Sequence, residues 1–402
     1  MKTSFSNSNV VSLAQISERI DYGYTASATV QPVGPKFLRI TDIQNGQVDW
    51  STVPYCQFTG EPSDKAILRD GDIVFARTGA TTGKSYLIRQ CPADCVFASY
   101  LIRVRPSERV NPKYLAHFFR TPNYWAQIFR NSAGTAQEGV NASKLKQLQV
   151  PLPDLEEQNQ IADLLDQSYD IVDYYKRSIL ILDELLFATY AGLMGDPVRN
   201  TKSFPTVRIG DLTEVCTGST PSRQEPANFI GLTPWVKTGE VDGSIIFTTE
   251  EFIADHVSSG RCRVYPSGSV LIAMYGQGKT LGKAAILGIP AATNQACAVL
   301  LPNTKYKPEY LLITLQLMYD YIRTLARGGN QPNLNLNIVR NISVPLPPII
   351  LQTRFAELFL QIGSQKQLHQ KAISIAEELL KANQYSAFPN AVMADRDLAH
   401  AF

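Results

Sequence analysis

The strongest constraint on the fold is an internal duplication of the sequence. Residues 134–167 align without gaps on residues 328–361, at an offset of 194, with 11 identities in 34 positions. Upstream runs continue this register with small slips, because Gly71–Ala76 matches Gly268–Ala273. Two copies are too few for a solenoid, so the sequence predicts a tandem protein of two related units with pseudo-twofold symmetry.

Each copy begins with a segment of short β-type runs. Ile73–Ala76 is an example in the first copy, and Val270–Ala273 is its counterpart in the second. Glycine, proline, Asn and Asp punctuate these runs, which favours a compact domain that contains a sheet and some helices. We therefore predict an α+β fold, with duplicated sheet-containing domains at 1–150 and 196–344.

Each copy ends in a long helical pattern that follows the shared sequence Val-Pro-Leu-Pro. Apolar residues alternate spacings of four and three, as in the heptad seam of a coiled coil. The helices are predicted at 151–195 and 345–385, with a C-terminal tail at 386–402. Neither can bury its stripe alone, so we expect an antiparallel two-helix coiled coil that separates the domains; packing of each helix only on its own domain is the alternative. The seam residues are Ile161, Leu165, Val172, Ile179, Leu182 and Leu186 in the first helix, and Phe355, Phe359, Ile362, Ile373 and Leu380 in the second.

Charge is distributed unevenly along the chain, whose overall net charge is only +2. Residues 1–150 carry a net charge of +6, residues 151–197 carry −8, and residues 198–344 carry +4. Basic domains attract polyanions, of which nucleic acid is the commonest large one. Ordinary scatter in surface charge would give similar numbers. The pattern therefore favours, without requiring, two nucleic-acid-binding domains divided by an acidic helix.

The sequence argues against a membrane or secreted protein. The most apolar stretch, 178–192, contains Asp183 and Glu184, and the first residues lack an apolar signal region. Six cysteines in 402 residues form no dense disulfide framework. We therefore expect a soluble, cytoplasmic, multi-domain protein.

A glycine-rich loop at Gly79–Ser85 resembles a nucleotide-binding phosphate loop but does not match it. That motif needs four residues between its glycines and a helix after the loop, whereas three residues lie between Gly79 and Gly83 and a strand is predicted to follow. Cys91 and Cys95 have no second pair of metal ligands, and the four histidines have no consistent partners. We expect neither a metal site nor a catalytic residue.

The loops that end the repeated runs carry residues suited to DNA. Glycines free backbone N–H groups for close approach to an anion, and neighbouring side chains supply charge and hydrogen bonds for phosphates and base edges. Tight turns with solvated lysines are the structural alternative. Gln137 and Gln331 could equally brace a turn, while Asn141 and Asn335 are expected to cap helices. The candidate DNA contacts are Arg77, Thr78, Thr81, Thr82, Lys84, Ser99 and Gln137 in the first copy, and Lys237, Tyr275, Gln277, Lys279, Thr280, Lys283, Asn294, Gln295 and Gln331 in the second.

The arrangement resembles a specificity subunit of a type I restriction–modification enzyme. Its most specific marks are Val150–Pro153 with Gln158, and Val344–Pro347 with Gln352. In that family the usual form is Pro-Pro followed by Glu-Gln, from which this sequence departs slightly. The resemblance covers essentially residues 1–385.

The resemblance implies a division of labour. Each unit would be a target recognition domain that reads one half of a split DNA sequence, and the helix pair would fix the gap, about one turn or roughly 34 Å of duplex. The chain would be non-catalytic and bind no cofactor itself. Two methyltransferase subunits would supply S-adenosylmethionine chemistry on adenine, and restriction subunits would use ATP and Mg²⁺. The rival interpretations are a nucleic-acid-binding adaptor outside restriction and a duplicated phosphate-binding transferase.

Overall fold

The chain divides into two compact units, one formed by residues 1–175 and 371–402 and the other by residues 176–370. Each unit therefore combines one predicted domain with parts of both long helices. The computed structural model describes residues 9–44, 46–57, 67–130, 139–260, 262–276, 278–327 and 333–389.

The first unit is built from short strands and a few helices. Its strands are β1 (Asn9–Ser12), β2 (Ser17–Tyr22), β3 (Ala28–Thr29), β4 (Lys36–Leu38), β5 (Ile43–Gln44), β6 (Gln47–Val48), β7 (Tyr55–Cys56), β8 (Ile73–Ala76), β9 (Ser85–Leu87), β10 (Cys95–Phe97), β11 (Leu101–Pro106) and β12 (Gln149–Leu152). Its helices are α1 (Pro112–Phe118), α2 (Pro122–Arg130), α3 (Ala142–Lys146), the N-terminal part of α4 (Leu155–Met194) and the C-terminal part of α10 (Ile349–Ala387).

Two sheets organise the first unit. One has the antiparallel order β2-β11-β8-β9, and the other has the order β10-β4-β7-β3, with β10 parallel to β4. A strand's side chains alternate between its two faces, so a strand covered on both faces is apolar throughout. Accordingly Ile73 and Phe75 of β8 join one buried cluster and Val74 joins another.

The second unit contains the same kinds of elements. Its strands are β13 (Thr206–Arg208), β14 (Val215–Thr217), β15 (Thr233–Val236), β16 (Ile245–Ile246), β17 (Glu251–Ile253), β18 (Val270–Ala273), β19 (Ala284–Leu287), β20 (Ala292–Thr293), β21 (Cys297–Leu300) and β22 (Ser343–Pro345). Its helices are α5 (Ile209–Leu212), α6 (Asp255–Ser258), α7 (Pro308–Leu317), α8 (Tyr319–Thr324), α9 (Leu336–Asn341), the C-terminal part of α4 and the N-terminal part of α10 (Ile349–Ala387).

The topology of the second unit repeats that of the first. The order β14-β21-β18-β19 corresponds to β2-β11-β8-β9, with β16 added as an outer strand beside β19. β15 runs parallel to β20, as β4 does to β10, and β13 pairs with β22 as β1 pairs with β12. The duplicated α+β architecture predicted from the sequence is confirmed.

The long helices begin later than predicted. The Val-Pro-Leu-Pro segments contribute to β12 and β22, so α4 begins at Leu155 rather than at 151, and α10 begins at Ile349 rather than at 345. The carboxylate of Asp154 accepts a hydrogen bond from the Glu157 N–H at 2.9 Å, as expected of an N-cap. Gly195, at φ +74°, directly follows the last residue of α4.

Contacts within the second unit show that α4 and α10 run antiparallel. The Lys366 ammonium lies 2.6 Å from the Asp183 carboxylate, and the rings of Tyr190 and Phe355 pack edge to face with centroids 5.3 Å apart. Residues further along α4 therefore contact residues nearer the start of α10, as expected for antiparallel helices. In the first unit the amide of Asn383 donates to the Ser168 hydroxyl at 3.1 Å.

The predicted seam residues are buried or half-buried along both helices. Leu186, Phe355 and Ile362 share one apolar cluster in the second unit. Ile161 and Leu165 instead join the core of the first unit's domain. The helices thus pack on each other and on their domains, so the alternative of packing only on a helix's own domain is wrong. Among the residues whose structure is described, no helix has the length and apolar character needed to cross a bilayer.

Candidate nucleic-acid interface

Several predicted contact residues of the first unit lie along one edge of its antiparallel sheet. The register pairs Leu101 with Ala76, Ile102 with Tyr22, and Phe75 with Ser85. The ends of β2 and β8 and the starts of β9 and β11 therefore meet at the same edge. This first sheet edge comprises Tyr22, residues 77–84, Ser99 and Tyr100.

The loop between β8 and β9 is a tight hairpin. The Gly83 N–H donates to the Ala76 carbonyl at 2.9 Å, and the Ala76 N–H donates to the Lys84 carbonyl at 2.9 Å. The Thr82 hydroxyl donates to the Gly79 carbonyl at 2.7 Å, while Lys84 is exposed. A strand follows the loop, so its backbone cannot form the loop-to-helix cradle of a nucleotide-binding motif.

Packing from α2 fixes this hairpin from behind. The Tyr124 hydroxyl donates to the Gly83 carbonyl at 2.5 Å, and Trp125 lies where a Cβ on Gly83 would point. Gly83 also lies at φ +83°, a conformation that favours glycine. The first sheet edge is therefore rigid at its backbone and polar in its exposed side chains.

Aromatic residues that the sequence argument missed flank Arg77 on this edge. The Arg77 guanidinium lies 5.0 Å from the centroid of the Tyr22 ring, and Tyr100 is 65% exposed. Tyr22 lies at the end of β2, far from Arg77 in sequence, and only the sheet register brings the two together. Strand-end position is the one sequence signal that could have identified it.

The second unit repeats this edge. The register pairs Ala273 with Cys297 and Thr217 with Ala298, so the loop residues 274–276 and 278–283 meet those at 294–296 at the end of β14. The structure brings together the predicted residues Tyr275, Lys279, Thr280, Lys283, Asn294 and Gln295. This second sheet edge comprises Thr217 and the two loops.

The hairpin of the second sheet edge repeats the hydrogen bonds of the first. The Gly282 N–H donates to the Ala273 carbonyl and the Ala273 N–H to the Lys283 carbonyl, both at 2.9 Å. From α8, the Tyr319 hydroxyl donates to the carbonyl of Lys279 at 2.7 Å. The loop backbone is thus held in place, and the exposed Lys279 side chain extends from a fixed point.

Amide and hydroxyl side chains complete the second sheet edge. The Asn294 amide donates to the Thr238 hydroxyl at 2.9 Å, and Gln295 forms a side-chain hydrogen bond with Thr220. Both threonines were missed from the sequence. Lys237, which follows β15, lies 2.6 Å from the Glu250 carboxylate and 3.1 Å from that of Glu251. These hydrogen bonds raise the pKa of Lys237 and balance its charge, so it is a weaker phosphate contact than Lys279.

The remaining sequence expectations are met in part. Asn141 and Asn335 cap α3 and α9, because their side chains accept from the N–H groups of Lys144 at 2.8 Å and Ile338 at 2.9 Å. Both caps repeat across the duplication. The predicted contacts Gln137, Gln277 and Gln331 lie outside the described residues.

The glutamines that mark the Val-Pro-Leu-Pro motifs are structural. Gln158 is about 1% exposed; it accepts from the Asn111 N–H at 2.8 Å and donates to the Pro153 carbonyl at 2.9 Å. Gln352 makes the same two bonds, to the Lys307 N–H at 2.9 Å and the Pro347 carbonyl at 2.8 Å. Each glutamine therefore ties the start of a domain helix to the start of a long helix.

A charged cluster unique to the first unit joins α1 to α4. The Asp166 carboxylate lies 2.8 Å from Nε2 of His117 and 2.9 Å from Nζ of Lys113. These two partners lower the pKa of Asp166, whereas burial lowers the pKa of His117 despite the carboxylate. A neutral His117 with its proton on Nε2 satisfies both shifts. The aligned positions of the second unit are Ile313 and Leu360, which cannot form this cluster.

Known proteins share both the sequence and the fold of this chain. A putative type I restriction enzyme specificity subunit from Methanocaldococcus jannaschii is 28% identical over 209 residues, which cover 50% of this chain and 49% of that protein. Another specificity subunit of that organism, MjaVIII, is 21% identical over 78% of this chain and 77% of its own length. The chain thus spans about half the length of the first relative.

Solved structures extend the likeness over almost the full length. The S subunit of a type I restriction–modification system from M. genitalium superposes with a TM-score of 0.62, at 15% identity, over 98% of this chain and 99% of its own. A chain from a study of complex assembly and conformational transition of the type I R-M system gives a TM-score of 0.53 at 17% identity. At such identities the likeness establishes a shared fold.

The family model described as the type I restriction modification DNA specificity domain matches residues 25–180 and again residues 202–378. The two matches correspond to the two copies of the duplication; the first contains the first sheet edge except for Tyr22, and the second contains the second sheet edge. This chain therefore belongs to the family of type I restriction–modification DNA specificity domains.

Proposed function

We propose that this chain is the non-catalytic DNA specificity subunit of a type I restriction–modification complex and that it reads a split DNA target. The observation that carries the proposal is the pair of equivalent sheet edges, one in each copy of a DNA specificity domain. Rigid hairpins on both edges present lysines for phosphates and amides or hydroxyls for base edges. Each edge would read one half of the target.

The paired long helices would set the gap between the half-sites. The antiparallel contact of Lys366 with Asp183 and the buried seam of α4 and α10 support a stiff element that cannot change its length. A stiff spacer fixes the number of base pairs between two recognised segments. We expect a methylated motif of constant gap length.

We infer that the exposed faces of the helices receive methyltransferase subunits, which supply S-adenosylmethionine chemistry on adenine. Coiled-coil partners bury the seam, yet large apolar side chains remain exposed on the outer faces. Ile181 and Leu185 are four residues apart, as are Ile375 and Leu379, so each pair lies on one helix face, and exposed apolar patches commonly mark a protein interface. These residues are Ile171, Tyr174, Leu180, Ile181, Leu185, Ile350, Leu360, Leu368, Ile375 and Leu379. Restriction subunits that use ATP and Mg²⁺ would complete the complex.

The test is to express the chain with its cognate methyltransferase subunits in a methylation-free host and to sequence adenine methylation. We expect one split motif, lost when this chain is omitted. Exchange of residues 1–150 for those of a relative should then alter only one half of the motif. An undivided motif, methylation without this chain, or changes in both halves on exchange would overturn the proposal.

The docking surface has its own test. Ile181→Glu with Leu185→Glu should weaken co-purification of the methyltransferase subunits, because two charges would be buried at the interface. Gln160→Glu, an exposed change almost six turns away on the same helix, is the control. Undiminished co-purification with the double variant would contradict docking on this face.

A further inference from the structure

We propose that Arg77 reads a guanine in the half-site bound by the first unit, with Tyr22 holding its guanidinium in position. The inference rests on the proposed function and adds to it the identity of one recognised base.

Arg77 extends from a backbone that is fixed on both sides. Its N–H donates to the Tyr100 carbonyl at 3.1 Å, and its own carbonyl accepts from the Val140 N–H at 3.0 Å. The preceding strand β8 is fully buried. A side chain that begins at such a point can keep the precise placement that base recognition needs.

The side chain is also placed by stacking. The guanidinium carbon lies 5.0 Å from the centroid of the Tyr22 ring, within the range of a cation–π contact. The Tyr22 hydroxyl in turn accepts from the Ala142 N–H at 3.0 Å, so the ring is held at its far end. A stacked guanidinium keeps its N–H groups in its own plane, directed away from the ring.

Those N–H groups are available for a ligand. Two other arginines of the same sheet are paired: Arg103 with Asp21 at 2.6 Å and Arg105 with Asp72 at 2.7 Å. Within the described part of the chain, Arg77 has no carboxylate within ion-pair distance, and it is exposed on the first sheet edge. The guanidinium N–H groups of Arg77 therefore face solvent, and stacking on Tyr22 already holds them in place.

The ligand that fits two parallel guanidinium N–H donors offers two hydrogen-bond acceptors side by side. In the major groove, only guanine presents two acceptors, O6 and N7, whereas adenine pairs an acceptor with a donor and cytosine presents a donor. A phosphate also offers two acceptors, but it carries no sequence information. A guanidinium held by stacking at the end of a rigid strand favours the guanine. A guanine contact and a phosphate contact predict opposite results for an Arg77 variant: loss of one base preference, or equal slowing of all targets.

The second unit cannot make this contact. By strand register, the counterparts of Tyr22, Arg77 and Tyr100 are Thr217, Met274 and Ala296. They contain neither a cation nor a ring. The guanine readout should therefore be confined to one half-site.

The experiment measures methylation rates of the assembled complex on a library in which every position of the split target is varied. In the wild type, we expect a required guanine in the half-site that the exchange of residues 1–150 assigns to the first unit. Arg77→Met, which installs the counterpart residue, should reduce the preference for that guanine roughly 10- to 100-fold and leave the other half-site unchanged. Tyr22→Leu should weaken the same preference less, because it leaves the cation but removes its support.

Lys84→Ala is the matched control on the same hairpin, and it should slow all targets alike. Absence of a required guanine from that half-site would overturn the inference while leaving the proposed function intact. An equal slowing of all targets by Arg77→Met would also overturn it, because it would identify a phosphate contact. A wild-type complex that methylates no split target would refute the proposed function and this inference with it.

Discussion

Replacing the buried glutamine of the first Val-Pro-Leu-Pro motif should destabilise the first unit specifically. Gln158→Leu keeps the approximate volume of the side chain but orphans the Asn111 N–H and the Pro153 carbonyl, which it bonds at 2.8 and 2.9 Å. A buried polar group without a partner costs about 1–3 kcal/mol. For two such groups, with partial relaxation, we expect a loss of roughly 3 kcal/mol.

A chain of two units does not unfold in one step, so the effect must be measured locally. Amide hydrogen exchange resolved by mass spectrometry reports the opening of each helix separately. A loss of roughly 3 kcal/mol accelerates exchange about 100-fold in α1 when reclosing is faster than exchange, because the rate then follows the opening equilibrium. Gln352→Leu should reproduce the effect in α7, because Gln352 makes the same two bonds to Lys307 and Pro347.

Gln160→Leu is the matched control, since Gln160 is exposed two residues further along α4. It should leave exchange in α1 unchanged. If Gln158→Leu also left α1 protected but altered the methylated motif, the structural reasoning would be refuted and the side chain would belong to the DNA interface.

Three further predictions concern charge, pH and the chain end. Lys84→Ala or Lys279→Ala should each lower the slope of log affinity for DNA against log salt by about one, and an unchanged slope in a salt titration would exclude a phosphate contact. Because burial depresses the pKa of His117, the unfolded chain binds more protons than the folded one below about pH 6.5, so the first unit should lose stability as the pH falls. His117→Leu should remove this loss between pH 7 and pH 5 in thermal melts; an unaltered pH dependence would refute the assignment. Phe388, about 1% exposed and packed on Tyr114, should cost the first unit about 3 kcal/mol when replaced by alanine, which exchange in α1 would reveal and exchange in α7 would not.

The sequence was sufficient for the features that depend on local pattern. The apolar runs of β8 and β18, the heptad seam and the capping residues Asn141 and Asn335 all follow from periodicity and side-chain chemistry within a few residues. The duplication also allowed each element of the first copy to be matched with one in the second, because two copies of one sequence pattern adopt the same fold. The predicted helix ranges 151–195 and 345–385 also included the Val-Pro-Leu-Pro residues that end β12 and β22, since the prolines at 151 and 345 allow either a strand end or a first helical turn.

Features that depend on register between distant strands could not be predicted. Tyr22 reaches Arg77 only because β11 lies between β2 and β8, an order that nothing in the local sequence specifies. Lys237 was proposed as a DNA contact for its charge, yet its carboxylate partners Glu250 and Glu251 lie beyond a loop. The hydrogen bond between Gln158 and the Asn111 N–H could likewise not be predicted, because the two residues are 47 positions apart in the sequence.

The bonds that repeat between the two units differ in kind from the contacts that do not. Tyr114 donates to the Pro151 carbonyl and Tyr310 to the Pro345 carbonyl, both at 2.7 Å, and these bonds are buried. On the sheet edges, by contrast, the first unit has Tyr22 where the second unit has Thr217, and both side chains are exposed. Buried bonds to backbone atoms constrain the fold, whereas exposed side chains on a fixed edge are free to vary without cost to it. The two domains share a backbone fold but present different exposed side chains to DNA. We therefore expect the two halves of the target to differ in sequence rather than form a palindrome.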